Sequence, residues 1–349
     1  MPQNDLHIPK LLVIATGGTI ASVDDGEGLT PRLDAKDLLS RVPSLSELCR
    51  IDTIQPFSVD SCNMTPARWC ITAKLIREKY NDYDGFIITH GTDTMAYGAA
   101  MLSCLIRHSR KPTVLTGSQF PIDFGGSDAS DNLKDAVSWA CECIKRGCTV
   151  GYNSVYVVFA GRVINGMRAR KRHTIALDAF ESVNYSDIAK ISQGNITYSP
   201  ELVYYEETRD ADFIDLTLTD ESPAPLMIHL TPGMTSERLL AMCDDAPAVI
   251  FEGFGIGGIP DALLPAIAKI KAQGTAIILK TQVPYEKCDF AVYRVGRMIS
   301  AGTALSKNQG AGIVAEAGDL TAEAAFALAT VALNAPDIGW NLFFEIRDR

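Results

Sequence analysis

Thr19 and Thr92 each stand just beyond an apolar run, and from them this sequence could build a reaction centre. The first run, LLVIATGGTI over Leu11–Ile20, is a string of aliphatic and β-branched side chains stopped by Gly17 and Gly18. It reads as a buried strand entering a sharp turn, because glycine bends a backbone without a Cβ clash. The second, GFIITHGTDTM over Gly85–Met95, repeats the plan, with Gly91, Thr92 and Asp93 at the turn into a helix. In open α/β sheets ligands bind beyond the carboxyl ends of strands, where side-chain-free residues admit a small molecule to backbone N–H groups. Hydroxyls there could supply a nucleophile if a base accepts the proton. Taken alone, the first run fits an ordinary strand and turn as well; its recurrence about seventy residues later favours a site.

Two further clusters carry chemistry. Asp60 and Ser61 fall just ahead of Thr65 and Pro66, a threonine N-cap followed by proline at N1, which starts a helix. Asp60 offers a carboxylate to an ammonium group, and Ser61 a hydroxyl near helix-terminal amides that favour a carboxylate. The pair suits the two ends of an amino acid, and suits a local cap equally. Arg168, Arg170, Lys171 and Arg172 form a basic cluster in an acidic protein. Such a run is ordinarily a solvated face, but a lysine turned inward among like charges would favour the neutral amine that a general base requires.

The elements that must position these groups follow from periodicity and punctuation. Strands are expected at Cys49–Gln55, Thr113–Thr116 and Val155–Ala160, and helices at Pro66–Glu78, Ala96–His108 and Asn132–Cys143, the last capped by Asp131. Gly161–Asn165 suggests a hairpin, and Ala21–Pro31, small and acidic, reads as a loop able to close over Thr19. Alternation of strand and helix implies an α/β protein with a mostly parallel sheet covered by helices on both faces. Residues 1–192 form the larger N-terminal domain, 193–225 a polar, proline-bearing linker, and 226–349 a smaller C-terminal α/β domain. In the latter, strands are expected at Leu226–Leu230, Ala248–Phe251 and Thr275–Leu279, with helices at Thr235–Met242, Asp261–Ala272 and Thr321–Leu333.

Composition excludes several classes. A net charge of −10 argues against a nucleic-acid or anionic-membrane partner, since both need a basic face. The amino terminus has no apolar core behind a basic flank, and no later run is long enough to span a bilayer. Nine cysteines, an odd and scattered set, read as reduced thiols of a cytoplasmic protein, and with five dispersed histidines they give no metal-ligand spacing.

The segments ATGGTI and HGTDTM resemble the two signature segments of the L-asparaginase family, and the chain looks most like its cytoplasmic type I branch. The resemblance implies hydrolysis of the side-chain amide of L-asparagine to L-aspartate and ammonia, without metal or other cofactor. It marks Thr19, Thr92, Asp93 and Lys171 as catalytic; Lys171 precedes Phe180 of the D-A-F segment by nine residues, as in type I relatives. It marks Asp60, Ser61, Cys62, Thr92 and Asp93 as substrate-binding, with Cys62 where relatives often carry serine or glutamine. Members often carry a tyrosine in the loop after Thr19, and none is present here. Because the family's sites commonly form with help from a neighbouring subunit, a homodimer or homotetramer is implied.

Two readings from other classes compete. An asparagine sensor could use the same ammonium and carboxylate contacts but needs no set of two threonines, aspartate and lysine. A dinucleotide-dependent oxidoreductase is suggested by Gly253–Gly258, GFGIGG, which satisfies G-x-G-x-x-G between a strand and a helix. Against it, Ile259 and Pro260 interrupt the helix entry, and the next strand ends at Lys280 without a carboxylate for a ribose. No G-x-S-x-G nucleophile elbow occurs. Some type I relatives hold a regulatory asparagine on an arginine and a cysteine of the smaller domain; here those positions read as Glu252 and Val283. Asparagine-dependent kinetics are therefore expected to be hyperbolic, and a Hill coefficient clearly above unity in steady-state assays would contradict this.

Overall fold

A computed structural model describes residues 8–24, 26, 28–147, 153–201, 211–292 and 312–348, which divide into two compact units at 217/218. The first unit opens with strand β1 (Lys10–Ala15), hairpin strands β2 (Ser22–Asp24) and β3 (Leu29–Pro31), helix α1 (Ala35–Ser40) and strand β4 (Arg50–Ile54). Helix α2 (Pro66–Lys79), strand β5 (Gly85–Thr89), helix α3 (Met95–Leu105), short strand β6 (Ile106–Arg107), strand β7 (Thr113–Thr116) and helix α4 (Ala129–Arg146) follow. It continues through β8 (Val155–Phe159), β9 (Arg162–Asn165), β10 (Ala169–Lys171), β11 (Phe180–Ser182), β12 (Ala189–Ser192), β13 (Asn195–Tyr198) and β14 (Asp212–Phe213).

Eight strands make the main sheet in the order β13-β12-β9-β8-β7-β5-β1-β4. The five from β4 to β8 are parallel, and β9, β12 and β13 extend the sheet antiparallel. Strands β1, β5, β7 and β8 are buried almost throughout, which explains why their sequences are unbroken apolar runs rather than alternating ones. The amphipathic helix α4 lays Leu133, Val137 and Trp139 on this sheet among Ile87, Val114 and Tyr156, and ends in a left-handed Gly147.

The second unit carries four parallel strands, β15 (Leu226–His229), β16 (Ala248–Gly253), β17 (Ala276–Thr281) and β18 (Val314–Glu316), in that spatial order. Its helices are α5 (Ser236–Met242), α6 (Leu264–Ala272), α7 (Ala322–Asn334) and α8 (Pro336–Arg347). The expected α/β class, with a larger mostly parallel sheet and a smaller second one, is thus present. No helix among the described residues is long and apolar enough to cross a membrane.

Several elements differ from expectation for physical reasons. Ala21–Pro31 is no plain loop: β2 and β3 pair from Ser22 opposite Pro31, and Ala21 receives the N–H groups of Arg32 and Leu33 at the base of the hairpin. Helix α3 stops at Leu105 because the chain turns into β6, which pairs with β14; His108 then adopts φ 54°. Helix α4 starts a turn early, at Ala129, and Asp131 is not its cap. The stretch 193–225 is not simply a connector, since β13 lies on the sheet edge and β14 pairs with β6; 202–210 lie outside the described residues. Asp261–Leu263 form a 3-10 turn ahead of α6, and α8 and β18 had no sequence expectation.

Register decides what meets beyond the strands. Ala15 stands opposite Thr89, and pairing persists past both: Thr16 donates to Thr89 O through its amide at 3.1 Å and its hydroxyl at 2.9 Å. Val59 N–H donates to Thr16 O and Gly18 N–H to Val59 O, both at 3.0 Å, stitching the segment before Asp60 to the same edge. Gly18 has φ +82°, and a Cβ on it would lie 2.3 Å from the Gly91 nitrogen and 2.4 Å from its Cα. Gly18→Ala is therefore expected to lower the unfolding free energy by more than about 2 kcal/mol, read from denaturant titration, since strain and clash fall on backbone that cannot swing away.

Candidate active site

The contact between Gly18 and Gly91 brings Thr19 and Thr92 together, since each threonine follows one of these glycines. Thr19 opens a 3-10 turn, Thr19–Ala21, and is half-buried; Thr92, between β5 and α3, is 5 % exposed. Neither threonine's backbone N–H makes a hydrogen bond within the described residues, whereas that of Gly18 is taken by Val59 O. Two amide donors therefore remain at the loop tips, whereas the Gly18 amide is already committed.

Lys171 reaches this edge from the end of β10. Its Nζ lies 2.7 Å from Thr92 Oγ1 and 2.7 Å from Asp93 Oδ1, with 18 % of the side chain exposed. The basic cluster around it is no bare face. Arg172 pairs with Asp178 and Glu181, and the Arg168 guanidinium stacks 4.0 Å from the Tyr185 ring centroid. With those arginines occupied and Asp93 facing its amine, Lys171 is aimed by antiparallel pairing of β10 with β11, where it stands opposite Phe180. The hydrogen bond and charge of Lys171 hold the Asp93 carboxyl below the usual carboxylate range.

Asp60, Ser61 and Cys62 arrive on a 3-10 turn, Ser61–Asn63, directly ahead of α2. Asp60 Oδ1 accepts from Cys62 N at 3.0 Å, so the capping role weighed from the sequence is real, yet the residue remains exposed. Ser61 is buried against Gly91; its Oγ accepts from Asp93 N at 3.3 Å and its carbonyl from Thr94 Oγ1 at 2.8 Å. Cys62 Sγ donates to Asp93 Oδ2 at 3.4 Å. The ligand atoms of Asp60, Cys62 and Asp93 lie within 4.8 Å of one another, concentrating negative charge on an open rim where an ammonium group would be welcome. Among the described residues this is also the sole grouping close enough to hold a metal ion. The hydrogen bond to Asp93, then burial and the nearby carboxylates, push the Cys62 thiol up, and a protonated thiol is a poor ligand.

Sequence reasoning missed two supports. Gln119, three residues past β7, donates through Nε2 to the carbonyls of Thr174 and Ala176, both at 3.0 Å, and so ties the loop after Lys171 to the segment following β7. Its own backbone is held by Asp128, whose carboxylate accepts from Gln119 N, Phe120 N and Asn132 Nδ2. His90, buried beneath Gly91, is the other; its place directly before the HGTDTM glycine was the available signal.

The glycine-rich loop of the second unit folds on itself. Phe254 N donates to Gly258 O, while Gly257 N and Gly258 N both donate to Phe254 O. Three amides that a pyrophosphate would require are thereby spent, and α6 begins only after the 3-10 turn. The glycines serve the turn, with Gly257 packed on the Phe290 ring.

Comparison with known proteins finds relatives that cover most of the chain. Residues 10–204 match the family model "Asparaginase, N-terminal" and residues 226–338 match "Glutaminase/Asparaginase C-terminal domain". The chain is 35 % identical to an L-asparaginase of Thermococcus kodakarensis over 320 residues, 90 % of each chain. The solved structure of the thermostable L-asparaginase from that organism superposes with a TM-score of 0.79 at 32 % identity, covering 97 % of each chain. One component of the glutamyl-tRNA(Gln) amidotransferase of Pyrococcus horikoshii is 32 % identical over 310 residues, 85 % of this chain and 68 % of that one.

The raised Cys62 thiol gives a direct check. Asp93→Asn removes the carboxylate charge that opposes ionisation, so the thiolate fraction at pH 8 rises. N-Ethylmaleimide labelling at Cys62, resolved by mass spectrometry with Cys62→Ser as control, should accelerate about threefold or more. An unchanged or slower rate would contradict the assignment.

Proposed function

The chain belongs to the asparaginase family and is an amidohydrolase, and on that premise we propose that it hydrolyses L-asparagine to L-aspartate and ammonia with Thr19 as nucleophile. One observation carries the reading: a single amine stands 2.7 Å from both Thr92 Oγ1 and Asp93 Oδ1. A hydroxyl is a weak nucleophile until something takes its proton, and this hydrogen-bonded chain offers a route for one.

In this scheme Asp60 and Asp93 face the substrate ammonium, Cys62 completes the rim between them, and Ser61 lies on the α-carboxylate side. The side-chain amide then rests between the two threonines. Thr19 Oγ1 attacks the amide carbon as its proton passes to Thr92 Oγ1, whose own proton goes to Lys171 Nζ reacting as the neutral amine, and the Asp93 carboxylate faces the ammonium so formed. The carbonyl oxygen becomes an oxyanion facing the amides of Thr19 and Thr92, an arrangement able to contribute several kcal/mol because the donors are in place beforehand. Collapse returns that proton from Lys171 through Thr92 to the leaving nitrogen and releases ammonia, leaving an aspartyl ester on Thr19. Water then attacks the ester, giving up a proton through Thr92 to the neutral Lys171, which returns it to Thr19 Oγ1 as aspartate leaves.

The described cysteines are free thiols, which suits the reducing cytoplasm as the site of action. Purified chain should release ammonia stoichiometrically with aspartate from asparagine. Thr19→Ala, Thr92→Val and Lys171→Met should each reduce kcat by roughly 10³-fold or more, a loss of several kcal/mol of transition-state stabilisation, with circular dichroism and melting temperature near those of the parent. Asparagine binding without ammonia release would instead identify a sensor, and near-parent turnover in any one variant would remove that residue from the scheme.

A further inference from the structure

Beneath the Thr92 turn lies an imidazole that the reaction outlined above does not use. His90 is 1 % exposed. Its Nδ1 stands 2.7 Å from the carbonyl oxygen of Gly91, and its Nε2 3.2 Å from the indole Nε1 of Trp69 on α2. An indole N–H can only donate, so Nε2 must accept, and the one proton of a neutral ring sits on Nδ1 and is donated to Gly91 O. Desolvation in this buried place pushes His90 down to about 4, which keeps the ring neutral across the neutral range.

The surroundings are shaped for this contact. Gly98 sits inside α3, where glycine costs about 1 kcal/mol relative to alanine. A Cβ there would lie 2.8 Å from Trp69 Nε1 and 3.3 Å from His90 Nε2, in the path of the hydrogen bond between them. The backbone N–H of His90 is fixed as well, donating to Thr116 O at 2.8 Å.

The carbonyl that His90 holds belongs to the same peptide unit as the Thr92 N–H. A planar trans peptide sets C=O and N–H antiparallel. With the oxygen tied inward to a buried ring, the Thr92 N–H points the opposite way, and it makes no hydrogen bond to any described residue. We propose that His90 is a positioning residue: by gripping the Gly91 carbonyl it aims the Thr92 amide at the developing oxyanion and fixes the backbone from which Thr92 Oγ1 meets Lys171. This rests on the hydrolytic reading above and deepens it. Trp69 acts one step further out, obliging the ring to carry its proton on Nδ1, the only nitrogen from which Gly91 can be reached.

The test uses the full chain, ammonia release from asparagine and two amide substitutions. In His90→Gln the amide occupies the place of Nε2, near Trp69, and leaves the Gly91 carbonyl without its donor. In His90→Asn the shorter amide places an N–H where Nδ1 stood. His90→Gln should lower kcat by roughly 10- to 100-fold with KM within about threefold, the size of loss that accompanies a misdirected oxyanion donor. His90→Asn should recover kcat to within about fivefold of the parent. A residue that merely fills the core would lower the melting temperature of both variants and leave their kcat values alike, so equal kcat in the two, whether preserved or lost, overturns the proposal. If neither variant folds, Trp69→Phe decides: a lower kcat at unchanged KM supports the inference, and an unchanged kcat overturns it. A parent chain that releases no ammonia would instead sink the hydrolytic reading, an outcome seen before any substitution is made.

Discussion

The site depends on a reversal in the winding of the sheet. From β1 the chain first adds β4 on one side, then crosses to β5 on the other and proceeds outward through β7 and β8. At such a reversal open α/β sheets bind small molecules beyond the strands' carboxyl ends, and here the loops leaving β1 and β5 meet across it at Gly18 and Gly91. Every other feature refines that meeting. The glycines let the two loops touch, the in-register pairing of Ala15 with Thr89 sets the two threonines level, and the Val59 stitching delivers Asp60 and Ser61 to the rim.

Charge is distributed across the site with one residue serving two ends of it. Asp93 shares a hydrogen bond with Lys171 through Oδ1 and with Cys62 through Oδ2, so the carboxylate that steadies the amine also belongs to the acidic rim. Its lowered pKa means it stays ionised in both capacities. The carboxylate at the rim and the hydroxyl beside it, Asp93 and Thr92, are consecutive residues whose side chains both meet the same lysine amine.

How much of this could be read from the chain alone depended on whether the signal was local. The strands β1 and β5 announce themselves because burial on both faces forces continuous apolar runs, and the glycines that end them are visible one residue at a time. The start of α2 was equally legible, since Thr65 and Pro66 occupy its N-cap and N1 positions. By contrast β10 and β11 are three-residue strands carrying charged side chains, and only their mutual pairing makes them strands. Asp131 looked like a cap because its type suits one; Asp128, which precedes the helix, is instead committed to the amides of Gln119 and Phe120. Lys171 could be chosen from its cluster only by resemblance, because the partners that occupy Arg168 and Arg172 lie on later segments. The place of His90 before Gly91 was visible, but its role was not, because its indole partner lies 21 residues away.

The attachment of Lys171 has a consequence for how such a site can diversify. Both threonines follow central strands joined by backbone contact, whereas the lysine arrives on a peripheral hairpin whose connecting loop is moored to the sheet by the Gln119 amide on two carbonyls and by Asp178 on Arg162 of β9. Insertions or deletions between residues 172 and 179 can thus adjust the reach of the amine without disturbing the hydroxyls. The approach of the amine and the placing of the two hydroxyls are in this way set by separate parts of the architecture, so a change in one need not carry over to the other.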